Sequence, residues 1–317
     1  MQTLSSKSPE QRRRERLAAE RREIYGGGGN AFALSVVAGS YPWLPEQLCE
    51  QWVKVIRYQQ TGGGKVIVFK TGNPHLRKEG QRKECSAVPE DEREAVRLSQ
   101  SLSRTRRRVF EIAACNPWEW FFTGTLDAQK CDRNDLNGTF RRLSQWMRDF
   151  RKSQPGEKLS YLIVPEMHKN GGWHFHGLLN GVSENELHKF ETSEKIPLRI
   201  KRTIQNGTDV FSWTGYSDKF GYSAMTRVRD ENAVACYVTK YITKDMVLDN
   251  HSRGKGEHLY YASRGLRKPE TVAESYPETA WVPQTDYEND YVAIKTFSTD
   301  EEMNAIIDLY GIRRETE

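Results

Sequence analysis

The segment Trp118-Glu119-Trp120-Phe121-Phe122-Thr123-Gly124-Thr125-Leu126 predicts a β-strand. Aromatic residues and threonine favour strands because their side chains pack well on a pleated, half-buried surface. Downstream of this segment, the carboxylate of Asp132 can cap the start of a helix. That helix is predicted from five apolar residues at helical spacing: Leu136, Phe140, Leu143, Met147 and Phe150.

Two further strands are predicted at Tyr161–Val164 and Trp173–Leu179. Gly171-Gly172 lies between them and can turn the chain, because glycine adopts backbone angles that other residues avoid. The two strands are therefore expected to pair as an antiparallel hairpin.

The remaining part of this region predicts a short helix, a strand and a longer helix. Ser183 and Glu186 have the spacing of a capping box, so residues 183–190 are expected to be helical. Residues 198–229 are irregular in pattern, with a strand expected near Thr226, and a final helix is predicted from about Asn232 to Val247. The resulting βαββαβ order with a following helix is ferredoxin-like, which predicts an α+β fold with an antiparallel sheet backed by helices.

Segments of different composition flank this region. Residues 1–31 are arginine-rich, contain four consecutive glycines at residues 26–29, and are expected to be a basic flexible tail. Residues 32–88 predict a small β-containing element, and Pro89 suits the first turn of a helix that opens the main domain, residues 89–269. Residues 270–317 are expected to be an acidic C-terminal tail.

The net charge of +5 hides an uneven distribution along the chain. Residues 271–317 carry three Lys/Arg and eleven Asp/Glu, so residues 1–270 carry a formal charge of +13. A basic body with an acidic end favours a polyanionic partner, most simply nucleic acid. Three arginines fall on one stripe of the helix after Pro89, where they either contact phosphates or form an ordinary solvated face: Arg97, Arg104 and Arg108.

Several classes of protein are disfavoured by the composition. The five cysteines are scattered, without a CxxC pair, which disfavours a disulfide framework and a cysteine zinc site. A run of about 18 apolar residues is absent, so no membrane span is expected. The first residues lack the apolar stretch of a signal peptide, and we expect a cytoplasmic protein without a membrane partner.

The predicted strand Trp173–Leu179 contains His174-Phe175-His176. Because side chains alternate along a strand, the two histidines share one face and can converge on a metal ion. If the hairpin turn centres on Asn170, Glu166 lies opposite His174 and completes a cluster of two histidines and one carboxylate. His168 is the rival third ligand, and a simple pair of surface histidines is the alternative to any metal.

The final predicted helix contains Tyr237-Val238-Thr239-Lys240-Tyr241-Ile242-Thr243-Lys244. Tyr237 and Tyr241 are four residues apart, as are Lys240 and Lys244, so all four side chains lie on one side of the helix. Tyrosines at a core boundary would explain the pattern without any chemistry. A lysine beside a tyrosine also favours the phenolate, which is the nucleophilic form of the side chain.

Three motifs in this order resemble the HUH family of single-strand endonucleases: FFTGTLD at residues 121–127, HFH at residues 174–176 and YVTKYITK at residues 237–244. The order is similar to that of rolling-circle replication initiators of phages and plasmids. It is less similar to that of conjugative relaxases, in which the tyrosine precedes the histidines. The resemblance covers residues 105–268, including Tyr260-Tyr261-Ala262-Ser263-Arg264-Gly265-Leu266 near its end.

This resemblance implies a specific chemistry. A divalent metal ion, Mg²⁺ or Mn²⁺, would be held by His174, His176 and Glu166, although imidazole ligands also suit Zn²⁺. One tyrosine, Tyr237 or Tyr241, or both in alternation, would attack single-stranded DNA at a replication origin and leave a 5′-phosphotyrosine and a free 3′-OH. The host polymerase and helicase would be partners, in the cytoplasm of a bacterial cell. The alternatives are a transposase with the same chemistry and a non-catalytic, sequence-specific DNA-binding protein.

Overall fold

The computed structural model describes residues 51–70, 90–153, 158–168, 171–242, 258–276, 285–288, 292–312 and 314. The tail expected at residues 1–31 lies outside the described residues, as does most of the element expected at residues 32–88. Within the described parts, no helix combines the length and the apolar character that crossing a bilayer requires.

The described strands in chain order are β1 (Trp52–Arg57), β2 (Gly64–Phe69), β3 (Trp120–Thr125), β4 (Ser160–Met167), β5 (Trp173–Asn180), β6 (Leu187–Lys189), β7 (Phe211–Trp213), β8 (Ser223–Arg227), β9 (Tyr261–Ala262), β10 (Glu270–Ser275), β11 (Tyr287–Glu288) and β12 (Val292–Phe297). The described helices are α1 (Glu90–Cys115), α2 (Leu136–Ser153), α3 (Leu198–Gln205), α4 (Thr214–Lys219), α5 (Glu231–Val238) and α6 (Asp300–Tyr310).

The fold is of the predicted α+β class, with two antiparallel sheets. The chain divides into two compact units, one formed by residues 105–268 and the other by residues up to 104 together with residues 269–317. Each unit contains one of the two sheets and its own apolar core.

The unit of residues 105–268 contains a seven-stranded sheet in the order β6-β7-β8-β3-β5-β4-β9. Strand β5 lies between β3 and β4, and strand β3 lies between β5 and β8, with antiparallel pairing throughout. Strands β3 and β4 thus have β5 between them, and strands β5 and β8 have β3 between them. This is the ferredoxin-like arrangement. The predicted order of these four strands is confirmed.

Helix α2 covers one face of this sheet. Its five predicted apolar residues are all buried, as expected: Leu136, Phe140, Leu143, Met147 and Phe150. They pack in one core with Trp120, Phe122 and Phe175 from the strands. The capping residue is Asp135, whose Oδ1 accepts a hydrogen bond from the N–H of Gly138 at 2.8 Å. Asp132, the predicted cap, instead accepts from the N–H of Asn134 in a local turn.

Two predictions within this unit are wrong. The capping box at Ser183 makes no side-chain capping bond, and only the 3₁₀ turn Glu184–Glu186 forms before the chain extends into β6. Residues 198–229, expected to be largely irregular, contain α3, β7, α4 and β8. Strand β8 contains Thr226, so the strand expected there is confirmed.

The final helix of the unit ends before the predicted Val247. Helix α5 ends at Val238, and one 3₁₀ turn continues to Tyr241. The hydroxyl of Thr239 donates to the carbonyl oxygen of Cys236 at 2.7 Å in this last turn, and Ile242 is extended. Residues 243–257 lie outside the described residues.

The second unit combines segments from both parts of the chain. Its five-stranded sheet has the order β10-β1-β2-β12-β11, and alternate residues such as Val53, Val55, Val66 and Val68 are buried in its core. Met303 and Ile307 of α6 belong to the same core. The C-terminal segment, expected to be an acidic tail, therefore contributes three strands and a helix to a folded unit.

Candidate functional site

The hairpin formed by β4 and β5 has the predicted register. Glu166 pairs with His174, directly across the two strands. Trp173 and Phe175 are buried in the core beneath the sheet, whereas His174 and His176 are only partly buried on the opposite face. The predicted placement of the two histidines and the carboxylate on one face is confirmed.

Strand β3 orients both imidazoles from the other side. The hydroxyl oxygen of Thr123 lies 3.3 Å from Nδ1 of His176, and that of Thr125 lies 3.3 Å from Nδ1 of His174. These contacts follow from the pairing of Thr123 with His176 and of Thr125 with His174. Because Nδ1 of each ring is engaged by a threonine, Nε2 is the nitrogen that each histidine can offer to a ligand.

Glu166 is bound to the second histidine rather than to its direct strand partner. Its Oε2 lies 2.8 Å from Nε2 of His176, a diagonal contact across the two strands. This hydrogen bond lowers the pKa of the Glu166 carboxyl, and partial burial opposes the effect. Burial lowers the pKa of His174, and the neighbouring His168 and His176 add to that effect. The ring of His168 stacks on His174 at 4.9 Å between centroids.

The donor types at this position suit a divalent ion, although the described residues contain no complete metal-binding group of three His, Cys, Asp or Glu side chains. Two neighbouring ligands of an octahedral ion are about 3 Å apart when each bond is about 2.1 Å long. The 2.8 Å between Glu166 Oε2 and His176 Nε2 is close to that spacing. His174, opposite Glu166, supplies a third donor of suitable type on the same face.

The two tyrosines occupy different environments. Tyr241 is 8% exposed, and its ring stacks on His176 with centroids 3.8 Å apart and planes at 6°. Tyr237 is 37% exposed and accepts a hydrogen bond from the hydroxyl of Tyr241 at 3.2 Å. Phe121 of β3 contacts both rings, at 5.3 Å from Tyr237 and 6.4 Å from Tyr241. The buried tyrosine thus lies between the histidine pair and the exposed tyrosine.

Lysine acts chiefly on the exposed tyrosine. Nζ of Lys240 lies 3.1 Å from the ring centroid of Tyr237 and 5.1 Å from that of Tyr241. Burial raises the pKa of Tyr237, but the nearby ammonium of Lys240 and the hydrogen bond from Tyr241 outweigh burial, so the pKa is lowered overall. Burial and the contact with Tyr237 raise the pKa of Tyr241. Lys244 lies outside the described residues.

Sequence reasoning missed several residues of this site. Thr123 and Thr125 were predicted only as strand residues. They alternate along β3 as His174 and His176 alternate along the paired strand, so the four side chains lie on one face. The positive charge of Arg199 favours ionisation of both phenols, and nothing in the sequence pattern of α3 indicated this.

The candidate phosphate-binding arginines all lie in α1. Arg97 and Arg104 are exposed, and Arg104 Nε donates to the carbonyl oxygen of Gln100 within the helix at 3.3 Å. Arg108 is partly buried. A fourth arginine, Arg106, donates to the carbonyl oxygen of Ile242 at 2.9 Å and ties α1 to the end of the tyrosine segment.

The comparison with protein families gives a match over residues 119–246. The matching family is a family of replication-associated proteins, and the match covers less than half of the 317-residue chain. It includes β3, the histidine strand β5 and both tyrosines. In the comparisons with curated proteins and with solved structures, no protein matches the chain. The family match supports a replication-associated protein of the initiator type, with DNA as its partner.

Proposed function

We propose that this protein is a rolling-circle replication initiator of the HUH type, which nicks and rejoins single-stranded DNA at an origin through a tyrosine nucleophile. The observation that carries the proposal is the stacking of Tyr241 on His176, with Tyr237 hydrogen-bonded to Tyr241. These contacts bring together a histidine pair, a carboxylate and a phenol, which are the groups that such a reaction uses. The family match supports the replication part of the proposal.

Tyr237 is the proposed nucleophile. It is the more exposed of the two phenols, and Lys240 and Tyr241 both lower its pKa against the effect of burial. Its phenolate oxygen would attack the scissile phosphorus, and the bond from phosphorus to the 3′ oxygen would break. The products are a 5′-phosphotyrosine and a free 3′-OH, which takes up the proton that the phenol loses.

The other residues have supporting roles in this proposal. His174, His176 and Glu166 would hold a divalent ion, Mg²⁺ or Mn²⁺, and Thr123 and Thr125 would keep the imidazole Nε2 atoms directed to it. When bound, such an ion supplies positive charge that polarises the phosphate. Lys240 stabilises the phenolate, and Tyr241 positions both His176 and Tyr237.

The partners follow from the reaction. The substrate is single-stranded DNA at an origin, and the host polymerase and helicase would use the 3′-OH that nicking produces. We therefore propose that the protein acts in the cytoplasm of a bacterial host.

A direct test uses single strands from the non-coding DNA next to the gene. The protein is incubated with 5′- and 3′-labelled strands and Mn²⁺, and a covalent adduct is detected by denaturing electrophoresis. We expect an adduct on the 5′ side of the nick, and none for His174→Ala or His176→Ala. Because His176 stacks on Tyr241 and is bound to Glu166, circular dichroism of both variants verifies that they fold before the adduct is measured.

A matched control and a contradictory outcome complete the test. His258→Ala removes an exposed histidine beside β9 whose ring contacts Tyr261, and it should leave adduct formation intact. Cleavage that persists in the double variant His174→Ala/His176→Ala with EDTA present would contradict the proposed metal site.

A further inference from the structure

We infer that a pocket beside the histidine pair binds a nucleobase with an exocyclic amino group, next to the scissile phosphate of the bound strand. This inference rests on the proposed function and adds a base-recognition site to it. The pocket has a volume of about 410 Å³ and lies where β7, α4 and β8 meet the end of β3. Its lining includes Asp127, Phe190, Ser212, Asp218 and Tyr222.

The strand pairings place this pocket on the same face of the sheet as the histidines. Phe122 pairs with Met225, and Met225 pairs with Phe211; the first two belong to the core below the sheet, and Phe211 packs against it. The next residues along the strands therefore face the other side. They include Thr123, which contacts His176, and Ser212, which pairs with His188.

The pocket lies at a distance that suits a neighbouring nucleotide. Thr125 contacts His174, and the N–H of Thr125 donates to the carbonyl oxygen of Tyr222 at 2.7 Å. Strand β3 lies between β5 and β8, so these two strands are two strand spacings apart, or about 10 Å. A strand whose phosphate lies at His174 can therefore place a base one or two nucleotides away in the pocket.

The charges of the lining favour a base over a phosphate. The carboxylates of Asp127 and Asp218 repel phosphodiester oxygens but accept hydrogen bonds from an amino group, as acidic side chains do with cytosine. Lys130 also lines the pocket, and its ammonium donates to the carbonyl oxygen of Ser217 at 2.7 Å. Thymine has no exocyclic amino group, so it should bind less well than cytosine.

The pocket also provides an aromatic surface and an unpaired hydroxyl. The rings of Phe190 and Tyr222 stack at 5.6 Å with planes at 14°. Aromatic rings of this kind stack with any base, which supplies affinity without selectivity. The buried hydroxyl of Tyr222 has no hydrogen-bond partner in the described part of the chain. A base edge in the pocket would supply one.

The test measures the binding of two homopolymers of ~12 nucleotides, one of deoxycytidine and one of thymidine. Fluorescence anisotropy in EDTA gives both dissociation constants without cleavage. One hydrogen bond to a carboxylate corresponds to about tenfold in affinity, so we expect the cytidine strand to bind about tenfold more tightly. Asp218→Asn and Tyr222→Phe should each reduce this ratio while the protein still binds both strands.

The control separates selectivity from charge. Asp149→Asn removes a carboxylate of α2, the helix on the opposite face of the sheet, and should leave the ratio unchanged. Equal affinity of the unmodified protein for both strands, or an unchanged ratio in both pocket variants, would overturn the pocket alone. Failure to bind either strand would overturn this inference together with the proposed function.

Discussion

Replacing each tyrosine by phenylalanine should separate the roles of the two phenols. Tyr237→Phe removes the hydroxyl that the structure leaves more exposed, and we expect it to abolish the covalent adduct. Tyr241→Phe removes the hydroxyl that donates to Tyr237 and keeps the ring that stacks on His176. We expect this variant to form the adduct more slowly, and the double variant to be inactive.

The size of the Tyr241 effect can be worked out from the lost contact. The 3.2 Å bond to the Tyr237 oxygen is one hydrogen bond, which contributes about 0.5–1.5 kcal/mol. If it stabilises the phenolate in the transition state, its loss slows adduct formation roughly two- to tenfold. Loss of the nucleophile should abolish adduct formation rather than slow it two- to tenfold, because the remaining groups cannot form the covalent bond.

The assay is a single-turnover time course of adduct formation, followed by peptide mapping of the DNA-linked fragment. Tyr276→Phe, which removes a phenol from the other unit of the chain, serves as the control and should react at the normal rate. An adduct that forms normally in Tyr237→Phe but not in Tyr241→Phe would reverse the assignment. A DNA-linked peptide that contains neither tyrosine would refute the site itself.

Three other predictions concern the groups around the phenol and the charge of the chain. Lys240→Met should raise the pKa of Tyr237, because it removes the cation 3.1 Å from the ring, and the pH profile of adduct formation should shift to higher pH. Thr125→Val should weaken Mn²⁺ binding about tenfold by calorimetry, since it removes the hydroxyl beside His174 Nδ1, whereas Thr125→Ser should retain it. Single-strand affinity should fall steeply with salt, with a log–log slope of about −0.7 for each phosphate neutralised; a flat response would contradict phosphate contacts by the basic body.

The local part of the site could be predicted from the sequence because strand and helix periodicities are strict. A period of two places His174 and His176 on one face, and the glycine turn fixes the register that puts Glu166 opposite His174. The spacing of Tyr237 and Tyr241 placed the two hydroxyls together in the same way. In each case, the geometry of one element or one hairpin was enough.

The contacts that could not be predicted join distant parts of the chain. The stacking of Tyr241 on His176 depends on how α5 packs against the sheet, which no local pattern encodes. The same is true of the pairing of β1 with β10, which brings Trp52–Arg57 beside Glu270–Ser275. The acidic composition of the C-terminal segment suggested a solvated tail, but its apolar residues form a core with β1 and β2.

The early end of the tyrosine helix changes how the two phenols can work. In a continuous helix, Tyr237 and Tyr241 would be equivalent residues one turn apart, each followed by a lysine three residues later. The 3₁₀ turn from Thr239 to Tyr241 tightens the chain, and the second ring is buried against His176 while the first remains exposed. Alternating use of both phenols as nucleophiles would therefore require Tyr241 to leave its stack. The geometry favours different roles for the two phenols instead, in which Tyr241 stacks on His176 and donates a hydrogen bond to Tyr237, the proposed nucleophile.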